Sequence, residues 1–504
     1  MRRVRSGSKK SSKLRPETAP SGVSRRAVLR GAGLLGLGLT LGRFADPAQA
    51  RIIRPPGTLP FPRLPEGTDT LPQIENVIIL MMENHSFDNY FGALDRRVGF
   101  PLRHGAPRAA CPDGNGNLIH AFRMPSTCQL SSAPSQSWNA SHLALSDGNS
   151  GFVLGSGPVA MGYWTNDDIP FYYGLGQTFP LASRWFCSTL CQTYPNRRFL
   201  LAGTAAGIIS TSSDSLTAPP PPNGNIFERL SAHGISWRNY SSDLPSLAVL
   251  LAFAQANSDK LSPITRFFTD AAAGTLPAVS LVDPLFLSQG SEENPDDIRV
   301  GEQFSSQVIN AVMQSPQWPK TLLVWLYDEH GGYYDHVRPP RVIAPDDIPP
   351  NTQPGDQAGG YDRYGFRVPA VVVSPYARRN HISRVVRDHT SILKFIERKW
   401  NLGALTFRDA NADDLLDCLD LHGSPPFLEP PILPAPALAA ANPPMCTAGS
   451  PGVIPPPEAV SPARNATRAL LAAAERARQP DIPMGIPLAE ACARLGIGPF
   501  APPR

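Results

Sequence analysis

The sequence predicts an α/β fold in which a mostly parallel central sheet carries helices on both faces. Four apolar runs of strand length show no polar alternation: Asn76–Met82, Ala278–Val282, Thr321–Tyr327 and Pro369–Val373. Unalternating runs of this length are strands covered on both sides, the usual state of a parallel strand. Segments with helical character lie between or after them, at Asn196–Ala206, Asn225–Ala232, Leu261–Ala273, Glu302–Gln314 and Val385–Trp400. Strands alternating with helices point to an α/β layer arrangement. Three long irregular stretches, 95–178, 207–224 and 338–364, read as insertions above one edge of the sheet, where α/β enzymes build their pockets.

Residues 1–50 stand apart from this fold. Basic residues crowd Arg2 to Arg30, an uncharged Gly/Leu stretch runs from Gly31 to Gly42, and Ala48-Gln49-Ala50 supplies small residues at a cleavage spacing. The pair Arg25-Arg26, followed by Ala27-Val28-Leu29, resembles a twin-arginine export signal, with Val28 where Phe is more usual. The expectation is therefore an exported protein, periplasmic or extracellular, with the twin-arginine machinery as a partner. The leader holds 11 of the 46 basic residues and only Glu17 and Asp46 of the 42 acidic ones. The remainder is mildly acidic, so the formal charge of +4 is no argument for nucleic acid. The apolar stretch is also too short to span a bilayer comfortably.

With 42% hydrophobic residues among 504, the chain can bury a large core, and 56 prolines and 41 glycines imply many loops. The expected organisation is a leader over 1–50, one domain over 51–422, and a Pro/Ala-rich extension over 423–504 with a short helix near Ala463–Arg478. An oxidising destination makes disulfides plausible for Cys111 with Cys128 and for Cys418 with Cys446. Cys187 and Cys191 lack the partners that a zinc site requires.

Three constellations carry chemistry. Glu83-Asn84-His85-Ser86-Phe87-Asp88 follows the first strand directly, so Glu83 and Asn84 stand at its carboxyl end, the ligand-binding rim of such sheets. Glu83 is a cation ligand and Asn84 a neutral oxygen ligand or a donor, unless both serve only as turn formers. Asp328-Glu329-His330-Gly331-Gly332 ends another apolar strand. Adjacent carboxylates there repel unless a cation relieves them, and the glycines allow a sharp, close turn; the alternative is a helix cap. In Thr193-Tyr194-Pro195-Asn196-Arg197, Pro195 suits a first helical turn, which puts Thr193 at the amino end. Thr193 is then either an N-cap or a nucleophile activated by a metal. Of ten histidines, His85, His330 and His336 cluster near the two strand ends, while His142 lies four residues beyond Trp138.

These segments, together with Asp335-His336 and Asp388-His389-Thr390-Ser391, resemble those of the bacterial and plant phosphoesterase family, in family order over roughly residues 74–402. That family includes non-specific phospholipases C and acid phosphatases. The resemblance implies an alkaline-phosphatase-like fold and one divalent metal ion held by Glu83, Asn84, Thr193, Asp328 and Glu329. It further implies that Thr193 attacks phosphorus, that water later hydrolyses the phosphothreonine, and that a histidine protonates the leaving alkoxide. The chain departs from the family pattern at Gln136 and at Asn294, where relatives have His. His142, His330 and His336 are candidates for the proton donor, and Asn294 can hydrogen-bond a phosphoryl oxygen but cannot exchange protons near neutral pH.

The expected function is metal-dependent hydrolysis of phosphate esters, foremost phospholipase C action on glycerophospholipids with transient contact at a membrane surface. The alternatives are an acid phosphatase acting on phosphomonoesters and a binding or envelope protein on the same scaffold. Phe171-Tyr172-Tyr173 and the residues around Phe152 read either as an apolar groove for lipid or as packing. A sulfatase-like reaction is disfavoured, because no Cys-x-Pro-x-Arg segment is present.

Overall fold

Six apolar residues in a row, Val77–Met82, fix the middle of the molecule: every side chain of β1 (Asn76–Met82) is buried. The computed structural model describes residues 52–94, 96–103, 106–129, 134–288, 290–437, 446, 452–459, 468–478 and 481–497. The leader, residues 1–50, and the start of the helix expected at Ala463 lie outside these residues. The other strands of the main sheet are β2 (Leu181–Ala182), β3 (Trp237–Ser241), β4 (Leu261–Pro263), β5 (Val279–Asp283), β6 (Thr321–Tyr327), β7 (Ala370–Val373) and β8 (Ile382–Ser383). They form one eight-stranded sheet in the order β4-β3-β5-β1-β6-β7-β2-β8. All pairings are parallel except those of β7, which runs antiparallel to both β6 and β2. The architecture is thus α/β around a mixed, mostly parallel sheet, and the reversal is confined to one strand.

Register places the chemistry. β1 and β6 pair residue for residue from Asn76 opposite Thr321 to Met82 opposite Tyr327, and Leu80 pairs with Val282 of β5. Three adjacent parallel strands therefore end together, and the residues that finish or follow them are Glu83, Asp283 and Asp328. Full burial of each Ile, Leu or Val in these strands contributes about 1.5–3 kcal/mol, which anchors the acidic rim to the centre of the core.

The helix bounds differ locally from expectation. Leu261–Pro263 is an edge strand and the helix begins only at Ile264, because Pro263 lacks the N–H that an interior helical position needs. The helix expected from Val385 starts at Thr390, and the one expected from Glu302 starts earlier, at Ile298, capped by the Asp297 side chain. The helices Thr193–Ala202 and Thr390–Trp400 pack on each other, as do Ile264–Ala273 and Ile298–Gln314. The insertion over 95–178 shares the main core through Trp138, Phe152, Trp164 and Tyr172. Phe152, Phe171, Tyr172 and Tyr173 are all buried, so they act as packing and not as an open groove.

The extension packs back on the body. Ala474 and Ala477, on the helix Arg468–Ala477, join Ala140, Leu143 and Leu154 in a small apolar cluster. A second helix, Gly485–Arg494, which the sequence did not suggest, buries Leu488 and Cys492. The disulfide expectation is corrected: Cys128 bridges to Cys446, while Cys111 and Cys418 remain buried thiols. Both expected pairs were neighbours in sequence, whereas the bridge spans 318 residues and ties the extension to the insertion. No helix among the described residues is long and apolar enough to cross a membrane.

Non-reducing peptide mapping is expected to recover the Cys128 peptide joined to the Cys446 peptide. Cys128→Ser is expected to lower the unfolding free energy by about 2–5 kcal/mol, as measured by urea denaturation.

Candidate active site

The strand ends meet the start of the helix Thr193–Ala202. Gln192 is its N-cap residue and makes no side-chain cap, so Thr193 is the first helical residue and not the cap. The preceding turn is closed instead by Asn196: its Oδ1 accepts from the Thr189 N–H at 3.0 Å, and its Nδ2 donates to the carbonyls of Cys191 at 2.8 Å and Gln192 at 3.0 Å. This leaves the Thr193 hydroxyl to donate to Asn84 Oδ1 at 3.2 Å. Asn84 reaches that position from a left-handed backbone, φ 67°, which Asn tolerates better than most residues. Its backbone N–H donates to Asp328 Oδ1 at 3.1 Å. The two strand ends and the nucleophile candidate are thereby joined by one residue.

The glycines after Glu329 are required by this closeness. A Cβ at Gly331 would lie 1.8 Å from the Asn84 carbonyl oxygen, and one at Gly332 would lie 2.6 Å from that of Ser135; both glycines have positive φ. Asp328 Oδ1 also accepts from the Glu329 N–H at 2.8 Å, and Glu329 Oε2 accepts from the Gly331 N–H at 2.8 Å.

What remains unsatisfied is informative. Glu83 Oε2, Asn84 Nδ2, Asp283 Oδ1, Asp328 Oδ2 and Glu329 Oε1 are buried with no hydrogen-bond partner. Buried carboxylate oxygens left in this state cost several kcal/mol each. Among the described residues, the cationic side chain paired with them is Arg197, one turn along the helix from Thr193. It lies 3.3 Å from Asp328, 3.5 Å from Glu83 and 3.8 Å from Asp283, over the ring of Phe286. Burial pushes the carboxyls of Glu83, Glu293 and Glu329 well above the usual range, and their mutual repulsion adds to this against the pull of Arg197 on Glu83. One guanidinium is too little positive charge for this edge. Hard oxygen donors left unpartnered around a surplus of negative charge fit a divalent cation.

The phosphoesterase family profile matches residues 74–403. The chain belongs to the phosphoesterase family. It is similar to Phospholipase C A of Mycobacterium tuberculosis, with 30% identity over 430 residues that cover 73% of this chain and 81% of the relative. Non-specific phospholipase C6 of Arabidopsis thaliana is 30% identical over 379 residues, covering 67% and 70% of the two chains. Hemolytic phospholipase C of Pseudomonas aeruginosa is 28% identical over 426 residues, covering 71% of this chain and 57% of the relative. With these relatives the chain is a phosphoric ester hydrolase. A solved protein of the alkaline phosphatase superfamily from Vibrio parahaemolyticus overlaps with a TM-score of 0.32 at 11% identity, covering 57% of this chain and 73% of that one. An overlap this slight carries no weight for the chemistry of the site.

The histidines of this phosphoesterase are placed unequally. His330 sits beside the carboxylates, its Nδ1 3.1 Å from Glu329 Oε2, packed against Phe152 and Phe366. Burial pushes its pKa down to about 3. His142 is engaged elsewhere: its Nδ1 meets the Trp138 carbonyl at 2.8 Å, and its ring lies on the Trp138 indole and faces Gly359. His336 bonds Asp88 at 2.7 Å and borders a separate cavity of about 510 Å³, lined also by Arg97, Phe100 and Leu102. Asp88, Asp335 and His336 offer atoms within 4.8 Å of one another, a grouping able in principle to hold a metal. Arg367 already fills that centre, donating to Asp335 at 2.9 Å and to Asp88 at 3.0 Å, so the group is a clamp between the two strand-end loops.

Asn294 is on the rim, and the loop that carries it is built around Glu292. The buried Glu292 carboxylate accepts from the hydroxyls of Tyr90 at 2.7 Å, Tyr172 at 2.6 Å and Tyr327. Its carbonyl accepts from Gln129 Nε2 at 2.8 Å and lies 2.9 Å from His85 Nε2. The Tyr333 hydroxyl donates to Gln129 Oε1 and lies 3.1 Å from the side-chain amide of Asn294. Sequence reasoning assigned no role to Arg197, Asp283, Glu292 or Glu293. A one-residue extension of the β5 run would have found Asp283, whereas the other three act through burial and long-range contact.

Gly331→Ala is expected to destabilise the fold by on the order of 2–4 kcal/mol, from the clash with Asn84 and the left-handed backbone, as read by denaturant titration. Burial raises Glu292 from 4.5 to about 8, despite the three hydroxyls. A carboxyl raised on folding favours the native state below its unfolded pKa, and that contribution is lost as pH rises through the folded value. Stability should therefore fall between about pH 4.5 and pH 8, and Glu292→Gln should fall less over the same window in urea titrations.

Proposed function

We propose that this phosphoesterase hydrolyses phosphate esters through Thr193, with one divalent metal ion held by Glu83, Asn84, Thr193, Asp328 and Glu329, and that its substrates are glycerophospholipids cleaved in the phospholipase C manner. The observation that carries the proposal is the group of unpartnered buried oxygens around a threonine hydroxyl presented by Asn84. The lipid substrate class is supported by the relatives, whose names are those of phospholipases C.

When bound, the metal would supply positive charge to the attacking hydroxyl and to the phosphoryl oxygens. Thr193 attacks phosphorus in line; its hydroxyl proton passes to water, the P–O bond to the leaving group breaks as the departing oxygen takes up a proton, and phosphothreonine forms. Water then attacks the same phosphorus and Thr193 Oγ departs. The N-terminal peptide groups of the helix that begins at Thr193 face the added negative charge. Asn294 donates its amide nitrogen to a phosphoryl oxygen. Arg197 sets its positive charge between Glu83 and Asp328. Of the three candidate proton donors, His330 is the one beside the carboxylate pair. We also propose export by the twin-arginine route, on the strength of Arg25-Arg26 and of a disulfide suited to an oxidising compartment.

Purified enzyme is expected to release diacylglycerol from phosphatidylcholine vesicles and nitrophenol from p-nitrophenyl phosphate. Thr193→Ala should reduce both by at least about a thousandfold while leaving the far-UV spectrum unchanged. Chelation should abolish turnover, and readdition of a divalent cation should restore it. Full turnover in Thr193→Ala overturns the nucleophile, and turnover that survives verified metal removal overturns the metal.

A further inference from the structure

Part of the chain far outside the family match lies against the site. The Asp481 carboxylate accepts from the Gln136 backbone N–H and from Gln192 Nε2, each at 2.6 Å. Three residues on, the Met484 carbonyl accepts from the Tyr194 hydroxyl at 2.8 Å, and the Met484 N–H donates to Glu293 Oε2 at 3.3 Å. Gln192 and Tyr194 are the residues on either side of Thr193. Residues 481–484 thus clasp the start of the nucleophile's helix from both sides, and also reach the insertion at Gln136 and the loop at Glu293. The fit is close: Met484 is buried, and a Cβ at Gly485 would lie 2.4 Å from the Phe286 carbonyl. Thr193, at 1% exposure, and Glu329, at 0%, are sealed from solvent. A phosphate ester with any sizeable leaving group needs that seal opened.

We propose that Asp481–Met484 is an autoinhibitory strap, anchored by the helix Gly485–Arg494, which closes the phosphoryl site at rest and is displaced when a phosphate ester binds. The proposal rests on the reading of Thr193 as nucleophile. The strap is built to be released by an anion. Asp481 is held by the Gln136 N–H and by the amide of Gln192, the residue before Thr193, and both donors suit phosphoryl oxygens equally well. It also adds negative charge near Glu329, so an incoming phosphoryl group competes with it for donors and repels it. Strap closure and substrate binding are then mutually exclusive states, and each ligand biases the equilibrium between them. The bridge from Cys446 to Cys128 lies upstream of the strap and keeps the extension tethered when the strap is off.

Hydrogen exchange on the full-length enzyme, followed by mass spectrometry with and without orthovanadate as the phosphate mimic, tests this directly. Peptides covering 481–497 are expected to exchange faster with vanadate while β1 and β6 do not change. Equal or slower exchange there overturns the strap and makes the segment a fixed wall. In parallel, Asp481→Ala should raise kcat/KM for p-nitrophenyl phosphate by about fivefold to tenfold, since the open state becomes more populated, with an unchanged melting temperature. An unchanged or lower kcat/KM overturns the strap. Loss of turnover in Thr193→Ala together with no activation in Asp481→Ala removes the strap alone; full turnover in Thr193→Ala removes the nucleophile reading.

Discussion

Glu83, Asp283 and Asp328 crowd one edge because three adjacent parallel strands end within two residues of one another there, and an acid finishes or follows each. Glu329 and Glu293 add to them, and all five carboxylates are nearly or fully buried. Arg197 neutralises one charge. A buried excess of this kind is costly, and the same volume filled with apolar side chains would make a more stable protein. Its presence is therefore a cost borne for function, and the remaining construction of the site follows from holding it together. The apolar strands supply the rigid base, and Arg197 supplies the one fixed counter-charge. Gly331 allows the close approach, and Asn84 joins both strand ends to Thr193.

Around this edge lie two further polar assemblies, each held together by its own internal contacts. The clamp of Arg367 with Asp88 and Asp335 ties the helix after β1 to the loop after β6, and the ring of three tyrosines around Glu292 ties the loop carrying Glu293 and Asn294 to both. Glu292 itself has positive φ, 74°, a conformation that persists only where its surroundings over-determine it. The five acceptor contacts to its carboxylate and carbonyl provide that. Precision at the acidic edge is thus secured by second assemblies that are neutral or internally balanced, and the uncompensated charge is confined to the place where a cation and a phosphoryl group would meet it.

Much of this was legible in the sequence, and the reason is physical. Central strands must be apolar throughout, and polar residues directly after such a run have to fall at the rim, so Glu83, Asn84, Asp328 and Glu329 could be placed without a structure. Thr193 could be placed because Pro195 restricts where a helix starts. Histidines were less legible: His336 follows a strand end and His142 was a candidate only through its place after Trp138, but loop and helical geometry turn the first towards Asp88 and the second onto Trp138. The cysteine pairing failed for a related reason, since nearness along the chain says little about a bridge spanning 318 residues. Asp481 and Met484 were out of reach altogether, since nothing local in a Pro/Ala-rich extension signals a contact with residues flanking Thr193.

The two departures from the family pattern fit the same geometry. At Gln136 it is the backbone N–H, which any residue would supply, that meets Asp481. At Asn294 the side chain retains a donor and loses a titratable proton, and it lies 3.1 Å from the Tyr333 hydroxyl. Both positions therefore keep the capacity to hold an oxyanion and give up the capacity to exchange a proton. Under the proposed mechanism, donors, buried unpartnered oxygens and a presented hydroxyl serve the attack on phosphorus. His330, the histidine beside the carboxylates, is held towards its neutral form by burial and would have to gain a proton before assisting the leaving group.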